Sequence, residues 1–287
     1  MRLGIKAAAV THPGKVRANN EDNFYLQGHI RENVEQKEAA FACFARDSRF
    51  LAAVADGMGC QAFGEKASLT AVQALHPCRM EQAKREALDA VARANDKICR
   101  EIAQNGGRRM GSTLAALYID GGRALCCNIG DSRCYFLRGG ELFQISTDHN
   151  KAGSLVELGI LTPEQAARHS SRHELTRHLG IFPEEMVIAP SFSETLELRP
   201  GDAFLLCSDG LTDMVSDADI ANFLTGEGTP EQQAEALVDL ALQNGGRDNV
   251  TALAIRVEKT PGLGFGRLWN GKGKQGGRYF CVYWAAC

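Results

Sequence analysis

Four short acidic blocks are spread along this chain, each where a predicted strand meets a turn: Glu21-Asp22, Asp56-Gly57, Asp209-Gly210 and Asp248-Asn249. Carboxylates repel when crowded. Two of them about 4 Å apart cost roughly 4 kcal/mol at an effective dielectric near 20. A fold that gathers these blocks therefore needs positive charge among them, and a pair of hard divalent cations with oxygen ligands supplies it most simply. Taken singly, the residues say little. Asp-Gly is a common turn, Glu21-Asp22 alone is a solvated pair, and Arg17 alone is a surface cation.

Hairpins and helix pairs are the elements that must bring the blocks together. Ile5 to Val10 reads as a strand, and Phe50 to Val54 as a buried strand ending at Asp56-Gly57. Thr113–Tyr118 and Ala124–Ile129 flank a turn at Asp120-Gly121-Gly122 and form a predicted hairpin. Arg133–Leu137 and Leu142–Ile145 form a second hairpin around Gly139-Gly140. Phe192–Leu198, Ala203–Cys207 and Val250–Val257 read as further strands. Phe63–Leu75 and Met80–Gln104 have helical spacing, with Ala83, Ala87, Val91, Ala94, Ile98 and Ile102 on one face. Thr162-Pro163-Glu164-Gln165 and Thr229-Pro230-Glu231-Gln232 both carry a capping hydroxyl, a first-turn proline and a glutamine three residues on. Antiparallel strand runs and paired helices predict a layered α+β fold rather than a βαβ repeat.

Six motifs in order carry a family resemblance. They are Arg17-Ala18-Asn19-Asn20-Glu21-Asp22-Asn23, Ala55-Asp56-Gly57-Met58-Gly59, Gly111-Ser112-Thr113, Asn128-Ile129-Gly130-Asp131-Ser132-Arg133, Ser208-Asp209-Gly210-Leu211-Thr212-Asp213 and Gly246-Arg247-Asp248-Asn249-Val250-Thr251. Over residues 5 to 258 the chain resembles the bacterial metal-dependent serine/threonine protein phosphatases of type 2C, the PPM family. The resemblance implies a four-layer αββα sandwich: two antiparallel sheets flanked by helix pairs, with the metals at one end. It implies a catalytic domain at 1–258 and a mobile flap at about 151–180 that influences substrate choice and release. The plain alternative for that segment is a structural excursion.

The resemblance also implies roles. Asp56 bridges two Mn²⁺ or Mg²⁺ ions, and the Gly57 carbonyl is a ligand of one, where a bare backbone lets the ion approach. Asp209 and Asp248 hold the other ion. Glu21 and Asp22 act on or near the metals, largely through water, and Glu21 is otherwise a helper of Asp22. Asp131, with Asp209, matches the place of a third ion. Arg17 grips the substrate phosphate, because a guanidinium fork matches phosphate oxygens. Asn249 and Thr113 read as supporting or structural. Met58 stands where some eukaryotic members carry a proton-donating histidine, and a thioether has no proton to give. Bacterial relatives share that methionine. His149, His169, His173 and His178 read as ordinary histidines rather than metal ligands.

The implied activity is hydrolysis of phosphoserine and phosphothreonine in proteins, opposing a Hanks-type kinase. Two other classes stand beside it. A phosphoprotein-binding pseudophosphatase would show a lost metal ligand, and none is lost. A nuclease or other phosphoester hydrolase with nucleic acid as substrate would show a basic track in the core, and none is present. The net charge of −3 gives no general attraction to nucleic acid or membrane. No run approaches the roughly 20 apolar residues of a membrane span, and no leader is visible. Ten cysteines lack C-x-x-C spacing, so reduced structural thiols and a cytoplasmic, monomeric enzyme are the expectation. Cys126 and Cys127, adjacent in a strand, should face opposite ways. Residues 259–287 carry basic residues and glycines with no acid, and read as a solvated tail with little packing of its own.

Overall fold

The structure is a computed structural model that describes residues 3–33, 35–36, 38–46, 49–59, 63–166, 168–259, 272–275 and 278–285. Two sheets stack face to face. The first runs, edge to edge, β11 (Glu141–Gln144), β10 (Arg133–Arg138), β14 (Ala203–Cys207), β15 (Val250–Lys259), β1 (Leu3–His12), β4 (Ala39–Arg46), β17 (Arg278–Ala285) and β16 (Lys272–Gln275). The second runs β12 (Ser191–Phe192), β9 (Arg123–Ile129), β8 (Leu114–Asp120), β5 (Phe50–Ala55), β2 (Asn23–Leu26) and β3 (His29–Ile30), with β13 (Leu196–Glu197) also on β9. A small ribbon joins β6 (Gly57–Gly59) to β7 (Met110–Ser112).

Side-chain alternation on these strands builds three apolar layers. Ile5, Ala7 and Ala9 of β1 and Leu253, Ile255 and Val257 of β15 face inward, against Phe50, Ala52 and Val54 of β5. Ala8, Val10, Ala252 and Ala254, on the opposite face, meet α6 (Asp217–Thr225) and α7 (Pro230–Gln243) through Ile220, Leu224, Leu237 and Val238. Leu51 and Ala53 meet α1 (Gly64–Gln73) and α2 (Met80–Gln104) through Ala67, Ala71, Ala83, Ala87, Val91, Ala94 and Ile98. The result is the expected helix–sheet–sheet–helix order. Cys126 joins the inter-sheet layer and Cys127 the helix-facing layer, as adjacent strand residues must.

Local signals hold closely. α2 spans the predicted limits, and α7 starts with a full capping box at Thr229 and Gln232. At Thr162 the same reciprocal bonds form, opening the short α4 (Pro163–Ala166). Phe192–Leu198, read as one strand, is instead the two short strands β12 and β13 on β9.

β4 and the tail differ most from the sequence pattern. β4 has no period-two polar pattern because it is covered on both faces, so alternation gives no signal. Composition predicts little packing for the tail, yet Arg278–Ala285 pairs in parallel with β4. The physical reason is the meeting of an aromatic, β-prone segment with the open edge of a sheet.

Candidate metal centre

Strand direction gathers the acidic blocks at one end of the sandwich. Asp56 follows β5, whose Ala55 pairs with Asn23 at the start of β2, so Asp56 and Glu21-Asp22 meet. Asp209 follows β14 and opens the short α5 (Asp209–Thr212), while Asp248 precedes β15, and Cys207 pairs with Ala252. Two blocks thus end strands and two precede them, a refinement of the sequence reading. The sheets are joined at this end by Ser208 and Thr251, whose hydroxyls each donate to Oδ2 of Asp22 at 2.7 Å.

Burial sets the electrostatics. Asp22 is fully buried, and its pKa is pushed up to about 7, first by burial and then by repulsion from Asp209 and Asp248, against the two hydroxyl bonds. Asp56 is held well above the ordinary carboxylate range, by burial first and then by Asp22, Asp209, Asp131 and Asp248. Asp131 is pushed up to about 8 by burial, Asp209 and Asp148. Carboxylates that raise one another in this way share one locus. The structure therefore brings together Asp22, Asp56, Asp131, Asp209 and Asp248.

Glu21 and Gly57 lie at the same locus in a different way. A Cβ on Gly64 would sit 2.5 Å from Cδ of Glu21, so that carboxylate lies against the first turn of α1, where burial and Glu65 raise its pKa and the Gly64 amide opposes them. Glu21 thus places a carboxylate at the N-terminus of α1, where it accepts from the Gly64 amide. The Gly57 amide donates to the Glu21 carbonyl at 3.2 Å. A Cβ on Gly57 would meet the Gly64 oxygen at 2.1 Å, so glycine is required there.

Arg17 stands at the rim, its Nη2 2.7 Å from Oδ2 of Asp248, with both side chains well exposed. Asn249 ties the motif loop in place. Its Oδ1 accepts from the Glu21 amide at 2.8 Å, and its Nδ2 donates to the carbonyls of Pro13 at 2.9 Å and Asn19 at 2.8 Å. Thr113 Oγ1 accepts from the Asp56 amide at 2.9 Å and lies 2.6 Å from Ser132 Oγ, linking the turns of Asp56 and Asp131.

Sequence reasoning missed two contributors. Buried Arg31 donates to the backbone carbonyls of Asn20 at 2.7 Å and Asp22 at 2.6 Å, placing a fixed cation behind the motif loop. Nothing in its sequence neighbourhood singles it out. The second is His173, which the sequence presents as an ordinary histidine of the 151–180 segment. Its Nδ1 lies 3.6 Å from Oδ2 of Asp209 and its Nε2 3.6 Å from Oδ2 of Asp213, and the Asp209 contact raises its pKa. Arg172 joins Asp213 at 3.3 Å. The segment, with α3 (Lys151–Glu157) and α4, lines one side of an open cavity of about 640 Å³ that also reaches Asp131 and Asp209. His169 and His178 bond locally, to Ser171 Oγ and the Leu179 carbonyl. His149 is buried between the Gly130 amide and Ser191 Oγ.

Comparison with known proteins gives this arrangement its lineage. The family description "Protein phosphatase 2C" matches residues 27–240. The chain belongs to the protein phosphatase 2C family. It is 37% identical over 262 residues to the serine/threonine protein phosphatase PstP of Mycobacterium tuberculosis, covering 89% of this chain and 45% of that protein. The chain thus spans about half the length of that relative. It is 31% identical over 266 residues to the protein phosphatase PhpP of Streptococcus pneumoniae, covering 89% of this chain and 98% of PhpP. Among solved structures, the PstP catalytic domain in complex with two manganese ions superposes with a TM-score of 0.72 at 35% identity, over 90% of this chain and all of that one.

The residues present fit such ions. Asp22 Oδ1 is a buried carboxylate oxygen with no hydrogen-bond partner, and the donor set is all oxygen around a bare glycine backbone. Among the described residues, no helix is long and apolar enough to cross a membrane.

Proposed function

We propose that this chain is a metal-dependent protein phosphatase that hydrolyses phosphoserine and phosphothreonine. The observation that carries the reading is the gathering of the buried carboxylates Asp22, Asp56 and Asp131 beside Asp209 and Asp248, a set whose charged forms divalent cations would favour. Asp56, Asp209, Asp248 and the Gly57 carbonyl would hold two Mn²⁺ or Mg²⁺ ions, with Glu21 and Asp22 beside them. Asp131 with Asp209 would hold a third. When bound, the ions supply a nucleophile by acidifying a water and offset charge on the phosphoryl oxygens.

The chain's own residues do the rest. Arg17 exchanges Asp248 for the substrate phosphate and orients it through its planar fork. Asn249 and Thr113 hold Glu21 and Asp56 in place through backbone amides. Met58 donates no proton, so the leaving hydroxyl is not protonated from that position. The flap of residues 151–180, held at Asp209 and Asp213 through His173 and Arg172, covers the cavity beside the centre and gates substrates.

In this reading residues 1–258 form the catalytic domain of a cytoplasmic, monomeric enzyme. Its substrates are proteins phosphorylated by a serine/threonine kinase. The test is hydrolysis of a phosphothreonine peptide by the purified chain, with EDTA and then with Mn²⁺ restored. Turnover should vanish and return. A folded chain inactive with every divalent cation would reject the reading and leave a phosphoprotein-binding module.

A further inference from the structure

We propose that Thr11 and Thr251 are positioning residues for the metal centre, acting through Asp22. The inference rests on reading these carboxylates as metal-holding.

Asp22 closes a ring of polar groups whose hydroxyl directions follow once Thr251 and Ser208 donate to its carboxylate. Its Oδ2 accepts from Thr251 Oγ1 at 2.7 Å and from Ser208 Oγ at 2.7 Å. A hydroxyl has one proton, so Thr251 must accept from Thr11, whose Oγ1 lies 2.7 Å away. Thr11, its own proton now committed, accepts from Asn20 Nδ2 at 2.9 Å. Asn20 Oδ1 in turn accepts from the Asp22 amide at 3.1 Å. Ser208 Oγ accepts from the Thr251 amide at 3.0 Å. Asn20 is 1% exposed, and Thr11, Asp22, Ser208 and Thr251 are each 0% exposed, so solvent cannot replace any bond.

The consequence is directional. All the hydroxyl dipoles point toward Oδ2, and the chain of bonds polarises itself in that sense. The other oxygen, Oδ1, is equally buried and takes no hydrogen bond. The ring therefore fixes the carboxylate by one oxygen and leaves the other unbonded, available to an ion of the centre.

The ring also explains two polar residues inside an apolar stripe. Thr11 and Thr251 are register partners on β1 and β15. They continue the inward-facing rows Ile5-Ala7-Ala9 and Leu253-Ile255-Val257. Asp22 comes from the other sheet, just before β2. The two threonines are thus where one sheet takes hold of a carboxylate carried by the other.

The test is calorimetric titration of Mn²⁺ into the metal-stripped full chain, with circular dichroism to verify folding. Thr251→Val and Thr11→Val should weaken Mn²⁺ binding about 10-fold, the scale of lost ligand-supporting bonds. Thr251→Ser should restore it. In an Asp22→Asn background, Thr11→Val should have no further effect, because its influence passes through that carboxylate. Should Thr251→Val fail to fold, Thr11→Val, one bond removed from Asp22, decides the matter. Wild-type-like Mn²⁺ binding by Thr11→Val, or a loss that persists undiminished in Asp22→Asn, overturns the proposal. A wild-type chain that binds no Mn²⁺ would instead strike the metal-centre reading.

Discussion

Nη2 of Arg17 lies 2.7 Å from Oδ2 of Asp248, so a guanidinium and a carboxylate hold each other at the rim of the acidic cluster. The side chains are 56% and 40% exposed. An ion pair this wet contributes at most about 1 kcal/mol, so it is readily exchanged for a substrate phosphate.

Arg17→Ala should therefore raise KM for a phosphopeptide about 10-fold, the scale of one charge-assisted phosphate contact, and lower kcat by less. Michaelis–Menten analysis at saturating Mn²⁺ measures this. An unchanged KM rejects the phosphate-grip role.

Asp209→Asn should abolish turnover, by at least about 100-fold, while the metal-free chain melts no lower than wild type, because a repelling carboxylate has been removed. Mn²⁺ at about 100 times its Kd should stabilise the wild type by about 2.7 kcal/mol, and the variant by much less. Thermal melts with and without Mn²⁺ report both. Surviving turnover would mean that Asp209 holds no essential ion.

His149 is buried, and burial, helped by Arg177 and opposed by Asp148, lowers its pKa to about 4. The folded value lies below the unfolded value of about 6.5, so the fold favours neutral imidazole. Its contribution is whole above pH 6.5 and is lost as pH falls toward 4. His149→Gln should flatten the melting-temperature curve across that window. An equally steep curve in the variant would place the acid sensitivity elsewhere.

Met58 gives the leaving group no proton, so turnover should depend steeply on leaving-group acidity. In a series of aryl phosphates, Met58→His should reduce that slope, because a histidine there can protonate poor leaving groups. Parallel slopes for the two proteins would show that this position does not face the leaving oxygen.

Deleting residues 260–287 should leave hydrolysis of a small aryl phosphate unchanged, since the acidic blocks and Arg17 all precede them. It would also uncover the β4 edge now paired with β17. Aggregation on gel filtration, without loss of activity per folded molecule, is the expected cost. A proportional loss of both would make the tail part of the catalytic domain.

The sequence by itself determined which side chains could do chemistry and most of the local structure. Asp56, Asp209 and Asp248 are legible because their types and order are specific. α2 is legible because six apolar residues keep helical phase, and the α7 start because Thr229 and Gln232 satisfy each other locally. Tertiary structure alone decided how these residues act. β4 is covered on both faces, so its pattern carries no alternation. Arg31 serves the motif loop through backbone carbonyls, which leave no trace in residue types. His173 meets Asp209 and Asp213 across 36 and 40 positions, a contact that no local rule anticipates. The Asp22 ring is the clearest case. Thr11 and Thr251 lie 240 positions apart, and only strand register makes them neighbours. Residue type fixes what a group can donate or accept, but the direction of a bond depends on which other groups the fold brings within 3 Å.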